Sequence, residues 1–276
     1  MTDDTEKPRR AVIARRSLTL GALAATVAAG SAAQAAVVVP TAGDTPGWFH
    51  LAAGEGEGEG EGEGEGAAAL DPDLVYLRDL SFIEGHLRAG LALYQAGDLE
   101  AAKTHMGHPI KEKYDAVADR VAADGHAALK AQIVALAQAA EAEESAEELT
   151  AQFGDIQAVL DQLRGAYDAK TQIAAVIALT RVAGDEYTVA TKGGGIANLH
   201  EYQDAWGFMQ VVSDEIAQLA KSQNDNVANV AEKLQGYLPA TAAVFGDLQG
   251  NGDFTLDAGV LYGAAARMEL TAARLK

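Results

Sequence analysis

Six histidines, His50, His86, His105, His108, His126 and His200, are the side chains whose spacing could do chemistry. His105-Met106-Gly107-His108-Pro109 sets two imidazoles three residues apart. If the helical turn persists there, positions i and i+3 face the same way, which suits a shared metal. The thioether of Met106 adds a ligand of the kind Cu(I) favours. In His200-Glu201-Tyr202-Gln203-Asp204 the carboxylate of Asp204 stands four residues after His200, a same-face pair that chelates or orients the imidazole. An acidic first turn complementing a helix dipole accounts for Glu201 and Asp204 but leaves His200 unexplained. Glu186 and Tyr187 can meet this segment across Gly193-Gly194-Gly195.

His86 lies inside a helical pattern, Phe82-Ile83-Glu84-Gly85-His86-Leu87-Arg88. Glu84 and His86 stand about 200° apart on the helical wheel and cannot both face one site. Glu84 falls on the Leu77/Leu80/Leu87/Leu91 seam, where an i,i+4 ion pair with Arg88 is the ordinary alternative to ligation. His86 falls on the Phe82/Gly90/Leu93 stripe, where a core histidine bonded to a carbonyl is the ordinary alternative. Gly85 and Gly90 on either side leave room for a second helix or a ligand to come close. His50 and His126 read as surface or capping residues.

The expected metal ligands are therefore His86, His105, His108 and His200, with Glu84, Glu201, Asp204, Tyr187 and Met106 as supporting or additional donors. The chain has no cysteine, which removes disulfides, thiolate metal sites, iron–sulfur clusters and covalent c-type haem. Imidazole, carboxylate and phenol donors suit iron first, with copper or zinc as alternatives. Haem held non-covalently by two of the histidines is a further alternative. No G-x-S-x-G elbow and no H-E-x-x-H occurs, and nothing in the sequence calls for an enzyme. Asp247-Leu248-Gln249-Gly250-Asn251-Gly252-Asp253 has the start of a calcium loop, but Ala258 stands where a bidentate Glu belongs, so a turn-rich connection is expected. A formal net charge of −19 excludes nucleic acid as a main partner, since phosphate contacts need clustered Lys and Arg.

The elements that must position these side chains read as helices. Hydrophobic residues recur at 3–4 spacing from residue 71 onward, and no stretch alternates with period 2 between turn signals. The pattern predicts an all-α, up-and-down bundle of about 7–9 helices over residues 71–276. In this reading Pro109 opens a helix at its N1 position.

Residues 1–36 combine Lys7, Arg9, Arg10, Arg15 and Arg16 with an uncharged Ala/Leu-rich stretch and an Ala33-Gln34-Ala35 exit, the layout of a signal peptide. Ala14-Arg15-Arg16-Ser17-Leu18 resembles a twin-arginine signal, which implies export of an already folded chain to the periplasm or beyond. Residues 37–70 contain the Glu-Gly repeat of Gly54 to Gly66. It has no apolar face to bury and repels itself, so a disordered acidic linker is expected.

An exported all-α chain with Gly85-His86 in its first helix and His200-Glu201 in a later one resembles the imelysin-like proteins, periplasmic helical bundles linked to iron uptake. The family's G-x-H-x-x-E motif would need a spacer before His86 and a Glu where Ala89 stands. The resemblance implies metal handling without a transferable mechanism. The reading is an exported, non-enzymatic protein that captures or delivers a transition metal, partnered by a membrane metal transporter or another periplasmic protein. An acidic interaction module with structural histidines is the alternative.

Overall fold

The computed structural model describes residues 70–275, and the signal-like segment and nearly all of the linker lie outside them. The described residues are helical, with no strand among them. Ten segments follow in order: α1 (Pro72–Gln95), α2 (Leu99–Glu112), α3 (Tyr114–Ala123), α4 (Leu129–Glu141), α5 (Ala146–Gly165), α6 (Ala169–Ala190), α7 (Leu199–Leu219), α8 (Asp225–Gln235), α9 (Leu238–Ala242) and α10 (Gly259–Ala272). The tenth arises because a five-residue turn, α9, forms beyond Gly236.

Local chemistry sets most boundaries. Asp71 accepts from the amide of Asp73 and Pro72 occupies the first turn of α1, where its missing N–H costs nothing. Ser145 and Glu148 form a reciprocal capping box on α5, and Asp168 takes the amides of Lys170 and Thr171 at the start of α6. Gly193 and Gly194 adopt positive φ, which turns the chain from α6 back along α7. Asn198 then caps α7 by accepting from the amide of His200.

One boundary differs from the sequence expectation. Pro109 does not open a helix: α2 runs through it to Glu112, and the break comes at Lys113. Asp98 starts α2 early enough that Pro109 falls inside the helix, where it offers no N–H to the carbonyl of His105 four residues back. His105, His108 and Glu112 therefore share one continuous helix.

Two large hydrophobic cores form, beside a small cluster of Leu74, Ala174 and Ala178. One gathers α1 to α5 around Leu80, Leu87, Met106, Ile133 and Leu160; the other gathers α6 to α10 around Ile177, Tyr187, Phe208, Val212 and Leu261. Helix α1 packs on α2, α5, α6 and α7, and so joins the two. Three glycines permit this. A Cβ at Gly85 would strike the ring of Phe208 on α7, and one at Gly207 would strike the Gly85 carbonyl. At Gly90 it would meet Met106 of α2. Gly85 admits the helix carrying Asp204 and Gly90 the helix carrying His105, so His86 is set between them.

Among the described residues no helix is long and apolar enough to cross a membrane.

Candidate metal centre

Helices α1, α2 and α7 bring His86, His105, His108 and His200 together around Asp204, which is 2% exposed. Both oxygens of this carboxylate face imidazoles. Oδ1 lies 2.5 Å from His86 Nδ1 and 2.9 Å from His105 Nδ1, and Oδ2 lies 3.0 Å from His200 Nδ1. The rings of His105 and His200 stack in parallel with centroids 4.2 Å apart, and His108 packs on His200 at 4.4 Å. Phe82 and Phe208 wall off His86 at 4.5 and 5.2 Å, which excludes water from that side.

Both ring nitrogens of His105 are hydrogen-bonded, Nδ1 to Asp204 and Nε2 to Gln203. Gln203 donates through Nε2 to the Leu248 carbonyl at 2.8 Å, which leaves its Oε1 to accept from His105 Nε2, also at 2.8 Å. A ring carrying its only proton on Nε2 turns the Nδ1 lone pair toward the negative Oδ1 of Asp204, whereas a ring with both protons donates to it. Two lone pairs at that distance repel unless a proton or a cation joins them. His86 poses the same problem. Its Nδ1 touches the same oxygen without hydrogen-bond geometry, and neither ring nitrogen has a hydrogen-bond partner although the residue is 2% exposed.

The electrostatics follow from this crowding. Burial pushes Asp204 up, but the positive charge of protonated His86 and hydrogen bonds donated by His105 and His200 outweigh it and hold the carboxyl well below the usual range. Burial, with the charges of His200 and His86, pushes His108 down to about 4, so it is neutral near pH 7. His200 is raised: burial opposes protonation, and the hydrogen bond and charge of Asp204 overcome it.

Glu112, one helical turn after His108, meets His108 Nδ1 at 3.0 Å and His86 Nε2 at 3.8 Å. On the other flank, Glu186 of α6 hydrogen-bonds Glu201 of α7, and burial together with that neighbour pushes Glu186 up to about 9.

Three of the expected supporting ligands lie elsewhere. Glu84 is on the far side of α1, as its wheel angle requires, and pairs with Arg88 and Arg164 at 2.8 and 2.6 Å. Tyr187 is a core residue whose hydroxyl donates to the Val244 carbonyl at 2.5 Å. Met106 is buried in the first core against Gly90, because it is turned about 100° along α2 from His105. With no thioether or thiol at the cluster, the donors are imidazole nitrogen and carboxylate oxygen. Such a set suits iron or zinc and removes the argument for Cu(I). Glu201 and Asp204 are at the cluster, while His126 is half-buried in the turn before α4 and His50 is outside the described residues.

Sequence reasoning missed Glu112 and Gln203 as functional positions. The i,i+4 spacing His108-x-x-x-Glu112 could have revealed the first, had Pro109 not been read as a helix start. The calcium-like loop is a connection: Asp247 turns inward to accept from the amides of Gln249 and Asn251.

Residues 165–247 match the iron permease-associated 4-helix bundle domain. The matched segment is a minority of the chain but includes α6 to α9, and with them Glu186, His200, Glu201, Gln203 and Asp204. His86, His105 and His108 come from helices before it. The match names an iron permease-associated bundle, not an imelysin-like one. No curated protein and no solved structure matches the chain. The chain is thus similar over this segment to a helical domain associated with iron permeases.

Proposed function

We propose that this protein binds a divalent transition metal, iron foremost, between His86, His105 and Asp204, and holds it for transfer to a membrane permease rather than for catalysis. One observation carries the reading. Two histidine Nδ1 atoms converge on a single buried carboxylate oxygen while Gln203 holds the proton of His105 on its opposite nitrogen. A cation among these three atoms removes the lone-pair conflict and matches the chemistry of Zn²⁺ or Fe²⁺, whose bonds to nitrogen and carboxylate oxygen are about 2.0–2.2 Å. The donor atoms of the three residues lie within 4.8 Å of one another, so small rotamer shifts bring them to bonding distance. Haem fits less well, because the Asp204 carboxylate fills the space between the imidazoles that a macrocycle would need.

The similarity of residues 165–247 to an iron permease-associated domain supports iron and a transporter partner. The twin-arginine-like segment supports export in folded form, a route that lets a chain acquire its metal site before or after crossing. The test is calorimetric titration of the full chain with Fe²⁺ under anaerobic conditions, beside Asp204→Asn. The reading expects saturable binding with proton release, and loss of at least tenfold in affinity in the variant. Equal binding by parent and variant, or none by either, overturns it.

A further inference from the structure

The second oxygen of Asp204 is not used by the cation described above. Oδ1 faces His86 and His105, whereas Oδ2 faces His200 Nδ1 at 3.0 Å. Two groups of donors consequently share this one carboxylate. His86, His105 and Asp204 form the first, and His200, Glu201 and Asp204 form the second, each with donor atoms mutually within 4.8 Å. The stacking of His105 on His200, 4.2 Å apart and within 8° of parallel, sets their Nδ1 atoms side by side, one at each carboxylate oxygen. His200 Nε2 is buried without a hydrogen-bond partner, and Glu186 lies against Glu201 and within electrostatic reach of Asp204.

We propose that the centre holds two cations bridged by Asp204, a proposal that rests on the metal reading above and extends it. The inner cation takes His86, His105 and Oδ1; the outer takes His200, Glu201 and Oδ2, with Glu186 completing its carboxylates. Each cation then has three or four protein donors and keeps open positions for water or for a handover ligand. The two oxygens of one carboxylate, each facing a different imidazole, place two cations at the separation of about 3.5–4 Å typical of two-metal sites. All the outer ligands fall within residues 165–247, whereas the inner cation needs α1 and α2 as well. The two positions therefore differ in access: Asp204, His86 and His105 are at most 2% exposed, while His200 and Glu201 are half-buried. The outer position receives and releases the metal, and the inner one retains it.

The experiment is zinc K-edge X-ray absorption on the full chain loaded with excess Zn²⁺ and desalted, with a Glu186→Gln/Glu201→Gln variant in parallel. Glutamine keeps the size and hydrogen bonding of glutamate, so the helices are retained. The proposal expects two histidine-ligated zinc ions per chain and a zinc–zinc vector of about 3.5–4 Å. In the variant one zinc remains, with histidine ligation, and the vector is lost. A single histidine-ligated zinc without the vector, unchanged in the variant, overturns the second position and leaves the first reading intact. Additional zinc held by oxygen alone, as on the Glu-Gly run, without a vector, also overturns it. No histidine-ligated zinc in either protein overturns both.

Discussion

Gln203 bonds to His105 on one side and to the Leu248 carbonyl on the other, so it decides which nitrogen of the imidazole is free. Replacement by Leu keeps the volume but releases the tautomer; affinity for Zn²⁺ should fall about 10–100-fold, as it does when a histidine ligand loses its supporting hydrogen bond. Titration calorimetry on parent and variant checks this, and unchanged affinity would show that the amide is only packing. Glu186 gives a pH prediction. Its ordinary value is 4.5 and the fold raises it to about 9, so the folded protein binds the extra proton. The stability it contributes to the metal-free protein is complete below about pH 4.5 and is lost as pH rises through about 9. Glu186→Gln, which mimics the protonated acid, should flatten the decline in urea midpoint across that window; an unchanged slope would contradict the assignment. At this scale the four histidines and Asp204 were legible because helical spacing places them on shared faces. Gln203 was not, since its role depends on a carbonyl forty-five residues away. Tyr187 and Met106 misled because residue type suggests a ligand while helical phase turns both side chains into the core.

Helix contacts explain why the residues meet. The crossing of α1 and α7 is set by Gly85 and Gly207, where no Cβ fits. Gly207→Ala should separate the helices, destabilise the fold by about 1–3 kcal/mol and weaken metal binding, since Asp204 would retreat from His86. Chemical denaturation beside metal titration tests both effects, and a neutral substitution would show that the crossing adjusts freely. The opposite face of α1 has a separate role. Arg164 of α5 is 4% exposed and pairs with Glu84 and Asp161 at 2.6 Å, with Glu215 at 3.6 Å. The hydroxyl of Ser81 donates to Glu215. Arg164→Ala leaves buried Glu215 without its counter-charge and Glu84 with Arg88 alone, and should cost about 3–5 kcal/mol, measured by urea unfolding, with metal stoichiometry unchanged. The pattern of apolar residues made the helices readable, and the wheel angle separated Glu84 from His86. The course of α2 through Pro109 was not readable, because proline is compatible with a first turn and tertiary packing decides otherwise.

Across the whole molecule, a formal net charge of −19 favours cations over polyanions as partners. The bundle is divided into two cores joined by α1, and the candidate centre sits where α1 and α2 meet α7. Metal binding should therefore tie the two halves together. At a free cation concentration a hundredfold above Kd, the gain is about 2.7 kcal/mol. The helical class could be read from periodicity alone, but the convergence of three distant segments could not, because i,i+3 and i,i+4 rules say nothing about which helices become neighbours. The most direct test of the account is an anomalous difference map, collected at the iron edge, from crystals of the full chain grown anaerobically with Fe²⁺. The account predicts a peak bonded to Asp204 Oδ1 and the Nδ1 atoms of His86 and His105, at about 2.0–2.2 Å. A map without a peak there, with both histidines still in direct contact with the carboxylate, would contradict it.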